Sequence, residues 1–142
     1  MGAAAYFMLR ASPAGDGLAI DPNDRAQVAL GARLYAAQCA ACHGKKLEGE
    51  ANWRKPLPDG SLRAPPHDGT GHSWHHPDQV LFAYTKLGGA KLTRGAVKSN
   101  MPGFEGTLSD REIAAILAFI KSRWPEEIRQ RQETMTEAYR NR

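Results

Sequence analysis

Cys39-Ala40-Ala41-Cys42-His43 is the stretch that decides how this chain is read. Two thiols three residues apart lie on one helical turn, and a histidine follows the second directly. C-x-x-C-H is the attachment pattern of a c-type haem. Each thiol can form a thioether with one haem vinyl group, and the histidine then sits under the iron as an axial ligand. These are the only two cysteines in the chain, so no other sulfur chemistry is left to explain. Two readings compete. A redox C-x-x-C expects a βαβ setting, and almost no strand pattern surrounds the motif. A Cys2His2 zinc site would take two nitrogens from His67, His72, His75 and His76, but His72 lies well beyond the usual finger spacing and His43 would go unused. Haem is the working answer.

Composition fits a small chain closed around something large and flat. At 142 residues it is expected to form one domain with an appendage at either end: a stump and linker at 1–20, the domain at 21–124 and a charged helical extension at 125–142. Fourteen glycines and nine prolines, concentrated between positions 44 and 106, predict loops wrapped around a body rather than packed layers. A formal charge of +4, with no basic block interleaved with aromatics, excludes a nucleic-acid partner. Residues 1–9 are apolar but lack a charged leader and are too short to span a bilayer. They read either as the stump of a removed signal or membrane anchor or as a frayed terminus.

Working outward from the motif, Asp21-Pro22-Asn23-Asp24 predicts a helix start with Asp21 as N-cap and Pro22 at the first helical position. The helix is expected to run to about residue 40, with Val28, Ala32, Tyr35 and Ala36 on one stripe. Gly31 leaves room for another helix to cross closely, and Gly44 lets the chain turn away after His43. Residues 45–71 read as an irregular loop rich in proline and turn signals. Trp53, Arg54, Arg63 and Trp74 are its candidate donors to haem propionates. The tract Gly71-His72-Ser73-Trp74-His75-His76 reads as a metal tract, a proton-linked switch or polar edge. Structural roles for its histidines are favoured over iron ligation.

Pro77-Asp78 opens a helix to about residue 87, with Val80, Leu81 and Tyr84 inward. The segment Ser99-Asn100-Met101-Pro102-Gly103-Phe104 then carries the one methionine set in a loop stiffened by proline and glycine. A thioether is a soft ligand that raises a haem reduction potential, so Met101 is the candidate sixth ligand. Leu108-Ser109-Asp110-Arg111-Glu112-Ile113 carries a capping box and a hydrophobic staple. Its helix should reach about residue 124, with Ile113, Ile116, Leu117 and Ile120 inward. The last segment, with Ile128, Met135 and Tyr139 as a weak stripe, is expected to dock loosely.

The order of these parts over residues 21–124 resembles a class I monohaem cytochrome c of the bacterial kind. The resemblance implies an all-α fold of three to five helices around one covalently bound haem c, with the N- and C-terminal helices crossed. It implies His43 and Met101 as iron ligands, Cys39 and Cys42 as covalent links, and a proline carbonyl bonded to the axial histidine. Pro65 resembles that proline, with Pro66 as the alternative. Gly31, Tyr35, Ile116 and Phe119 resemble the family's helix-crossing residues. The function implied is one-electron transfer between redox partner proteins, by a monomer outside the cytoplasm, periplasmic or anchored to the membrane's outer face, rather than enzyme catalysis. The rivals are a haem enzyme or sensor with a displaceable sixth ligand, and a metal-handling module built on the histidine tract.

Overall fold

The computed structural model describes residues 19–142. Among these the secondary structure is helical, with no strand and one isolated bridge between Leu62 and Ser99. The helices are α1 (Arg25–Gln38), α2 (Ala40–His43), α3 (Asp78–Leu87), α4 (Gly89–Leu92), α5 (Asp110–Ser122) and α6 (Glu126–Arg140), with a 3₁₀ turn at Ser73–His75. The all-α expectation holds. The helix number exceeds three to five because α2 and α4 are separate four-residue pieces. The expected stump at 1–9 and nearly all of the linker lie outside the described residues, and no described helix is long and apolar enough to cross a membrane.

The core forms around α5. Ser109 and Glu112 satisfy each other's orphan backbone N–H groups, at 2.8 Å for Ser109 N–H to the Glu112 carboxylate and 3.3 Å for Glu112 N–H to the Ser109 hydroxyl. Every residue from Ile113 to Lys121 is buried. Ile113, Ile116, Leu117, Phe119 and Ile120 join Tyr35, Leu47, Phe104, Leu108 and Trp124 in one apolar cluster.

α1 crosses α5 at its glycine. A Cβ at Gly31 would lie 1.9 Å from the Ala115 carbonyl oxygen and 2.9 Å from Phe119 Cβ, so only a hydrogen fits. One turn on, Tyr35 packs its ring against Phe119 at 5.4 Å. Ile116 is buried nearby, but Ala115 makes the close approach. Gly31→Ala is therefore expected to destabilise the protein by roughly 2 kcal/mol, despite the ~1 kcal/mol that alanine gains in helix propensity. Thermal melting should show it as a fall in Tm of about 5–10 °C.

Three expectations are corrected. The N-cap of α1 is Asp24, whose carboxylate accepts from the N–H groups of Ala26 and Gln27 at 2.9 and 3.1 Å. Asp21 instead accepts from Asn23 N–H at 2.8 Å, a local turn that keeps Pro22 outside the helix. Ala36, placed on the inward stripe, is exposed. The buried residues of α6 are Gln132 and Thr136, whereas Met135 and Tyr139 are 36% and 44% exposed. Of the expected stripe, Ile128 packs against the core. Beyond it the helix turns polar side chains inward to buried partners, so its docking is anchored by hydrogen bonds rather than loose.

Candidate functional site

α1 ends at Gln38, and one residue, Cys39, separates it from the turn of α2. Cys42 and His43 N–H groups donate back to the Cys39 carbonyl at 3.2 and 2.9 Å, which fixes the motif as one tight turn. Gly44 follows at φ +82°, where a Cβ would meet the Glu48 carboxylate at 2.2 Å. The chain can then reverse beneath His43. Tyr35 clamps this reversal by donating its hydroxyl to the Gly44 carbonyl at 2.8 Å. Burial, then the Cys39 charge, pushes that phenol well above its ordinary value.

His43 is buried, 7% exposed. Its Nδ1 lies 2.8 Å from the Pro65 carbonyl oxygen. A carbonyl only accepts, so Nδ1 carries the proton and Nε2 is left with its lone pair free. Burial lowers the His43 pKa against the opposing Pro65 bond, which favours the neutral, ligating form. One face of the ring is covered by His67, stacked at 4.0 Å and 26°. His67 is itself held by three contacts. Its N–H donates to the Leu47 carbonyl at 2.8 Å, its carbonyl accepts from Trp124 Nε1 at 2.8 Å, and its Nδ1 lies 2.7 Å from Ser73 Oγ. Burial drives its pKa well below the ordinary histidine value. Sequence reasoning missed this packing role, because His67 has no local signature and meets His43 only through the fold.

Cys39 and Cys42 are both unpaired thiols; Cys39 packs on the core and Cys42 is exposed. Burial, reinforced by Cys42, pushes the Cys39 thiol up to about 11. It stays protonated at neutral pH, unlike the low-pKa thiols of redox or metal-binding cysteines. Among the described residues, no three His, Cys, Asp or Glu side chains converge on a metal-sized site. The histidine tract is taken up by stacking instead: His75 lies on Trp74 at 3.8 Å, His72 on Trp53 at 5.4 Å, and His72 meets His76 edge-on at 5.5 Å. Burial and neighbouring histidines hold the pKa values of His72 and His76 below the ordinary value.

Met101 is half-buried against the core. Its loop is seated on the end of α3 by main-chain bonds: Gly89 N–H to the Met101 carbonyl at 3.3 Å, and Phe104 N–H to the Thr85 carbonyl at 3.1 Å. Met101 N–H donates to Ser99 Oγ at 3.2 Å. A second clasp ties this loop to the proline-rich one. Leu62 N–H donates to the Lys98 carbonyl at 3.1 Å, and Asn100 Nδ2 donates to Ser61 Oγ at 3.0 Å.

The four propionate candidates divide. Arg63 is committed to the carbonyls of Lys55 and Pro56, at 2.5 and 3.2 Å. Arg54 lies over the Trp53 ring at 4.2 Å. Trp74 Nε1 is buried and has no acceptor in the protein. An enclosed indole N–H without a partner is costly, and a carboxylate brought in by a cofactor would satisfy it. The residues present therefore fit a haem: two unpaired thiols on one turn, an imidazole with Nε2 free, and a buried donor awaiting an anion.

A family model described as Cytochrome c matches residues 28–124. No curated protein and no solved structure matches the chain. The matched segment is more than half of the sequence and contains most of α1, the C-x-x-C-H turn, the Met101 loop and α5. The chain belongs to the cytochrome c family.

Proposed function

We propose that this chain is a one-electron carrier of the class I bacterial kind. One haem c would be held by thioethers from Cys39 and Cys42 and ligated by His43 and Met101. The observation that carries the reading is the His43 imidazole, fixed through Nδ1 on Pro65 and supported by His67. This arrangement orients Nε2 and raises its basicity as a ligand. When bound, the haem supplies the one-electron couple. The chain's own residues His43 and Met101 would hold it, the packing around His43 would keep water away, and Trp74 would offer its N–H to a carboxylate. Packed, pre-oriented groups of this kind need little rearrangement when a charge changes. The partners proposed are redox proteins outside the cytoplasm, meeting a monomer through a small interface at the low end of buried area.

Absorption spectra of the protein, made in a host able to attach haem c, test this reading. Acid–acetone is expected to leave the pigment on the wild-type chain and to strip it from the Cys39→Ala, Cys42→Ala double variant. Untreated reduced protein is expected to bind carbon monoxide slowly or not at all. Rapid binding would instead favour an enzyme or sensor with an open iron, and cleanly extracted pigment would end the covalent reading.

A further inference from the structure

We infer that α6, which lies beyond the family-matched segment, is a positioning element for the redox centre, acting through Gln132 and Thr136 on the turn that carries Trp74. This rests on the haem reading above. It begins from two polar side chains buried one above the other on α6, Gln132 at 0% and Thr136 at 3% exposed. Such burial persists only where hydrogen bonds replace water. Here they do so for the Gln132 amide nitrogen and the Thr136 hydroxyl, while Gln132 Oε1 has no partner in the protein. Gln132 Nε2 donates to the His76 carbonyl at 3.1 Å and to Asp78 Oδ1 at 2.7 Å, and it also contacts Thr136 Oγ1 at 3.2 Å. Thr136 Oγ1 accepts from the Asp78 N–H at 3.0 Å.

That last bond does an unusual job. α3 has Pro77 at its N-cap, with no side-chain cap of its own. The threonine of a helix far along the chain supplies the missing acceptor for a first-turn N–H. Together the two α6 residues grip the chain at His76 and Asp78, immediately after the Ser73–His75 turn. The opposite end of the turn is held by Ser73 against His67, which stacks on His43. Trp74 sits between these two anchors with its buried N–H unpartnered by protein.

Loosening the α6 anchor should therefore let the Trp74 N–H withdraw from the carboxylate that a bound haem would bring to it. A carboxylate that loses a donor has its negative charge less screened, and that charge favours the more positive ferric state, so the oxidised form gains. Gln132→Ala and Thr136→Val, the second keeping shape while removing the hydroxyl, should each move the ferric–ferrous equilibrium about three- to tenfold toward ferric, the worth of one hydrogen bond. Thr136→Ser, which keeps the hydroxyl, should restore the wild-type potential. Hydrogen exchange of the Trp74 indole, followed by NMR on the holoprotein, should quicken by a similar factor in the first two variants only.

A melting temperature that falls while potential and indole exchange stay put would overturn the inference and leave α6 a brace. Should Gln132→Ala fail to accumulate, the Thr136→Val and Thr136→Ser pair decides alone. A chain without covalent haem fails earlier, at the extraction experiment, so the two failures are distinguishable.

Discussion

Met101→Ala lowers the reduction potential by a few tenths of a volt, within the roughly 0.8 V that axial ligands set across haem proteins, and opens the iron to carbon monoxide and cyanide. The expectation rests on the proposed ligation and on how the loop is built. Its position comes from main-chain bonds to Gly89 and Thr85 and from the Ser99 hydroxyl, none of which uses the methionine side chain. Alanine should leave the loop where it is and remove only the sulfur. The change in potential can then be assigned to the lost soft ligand, which favours reduced iron. A redox titration with ligand-binding spectra on both proteins reads it. An unchanged potential would remove Met101 from the iron and return attention to His72, His75 and His76.

The second large effect concerns stability. Lys121 and Asp78 form an ion pair at 2.8 Å with side chains 6% and 9% exposed, at the point where α3, α5 and α6 meet. Lys121→Met removes one charge and leaves the Asp78 carboxylate enclosed, with only Gln132 donating to it from another side chain. Breaking a buried pair this way is destabilising by about 3–5 kcal/mol. Replacing both, as Lys121→Met with Asp78→Leu, should recover part of the loss, because no uncompensated charge is then left inside. Denaturant unfolding of the two variants and the wild type checks this. A single variant no less stable than the double would contradict it.

What could be read directly from the chain was local. The capping box at Ser109 and Glu112, the glycine at the crossing and the C-x-x-C-H turn are each specified within a few residues, and the structure keeps all three. The start of α1 was off by one acidic residue because Asp21 and Asp24 can each cap, and the turn through Pro22 selects the later one. Pro65 was reached through the family resemblance; nothing in its own neighbourhood distinguishes it from Pro66, and the 2.8 Å contact with His43 falls on Pro65. The anchoring of α6 and the stacking of His67 on His43 were illegible. Each depends on polar groups brought together from distant positions, and a hydrophobic pattern is silent about such pairs.

The crossing at Gly31 also bears on the order of assembly. During N-to-C synthesis α1 lacks its crossing partner until the chain has extended to Ala115, an interval of about 4–17 s at ~5–20 residues per second. Throughout that interval the Cys39–His43 turn belongs to an unfinished, open polypeptide. Until that helix has been added, Cys39 lacks the core against which it packs in the finished fold.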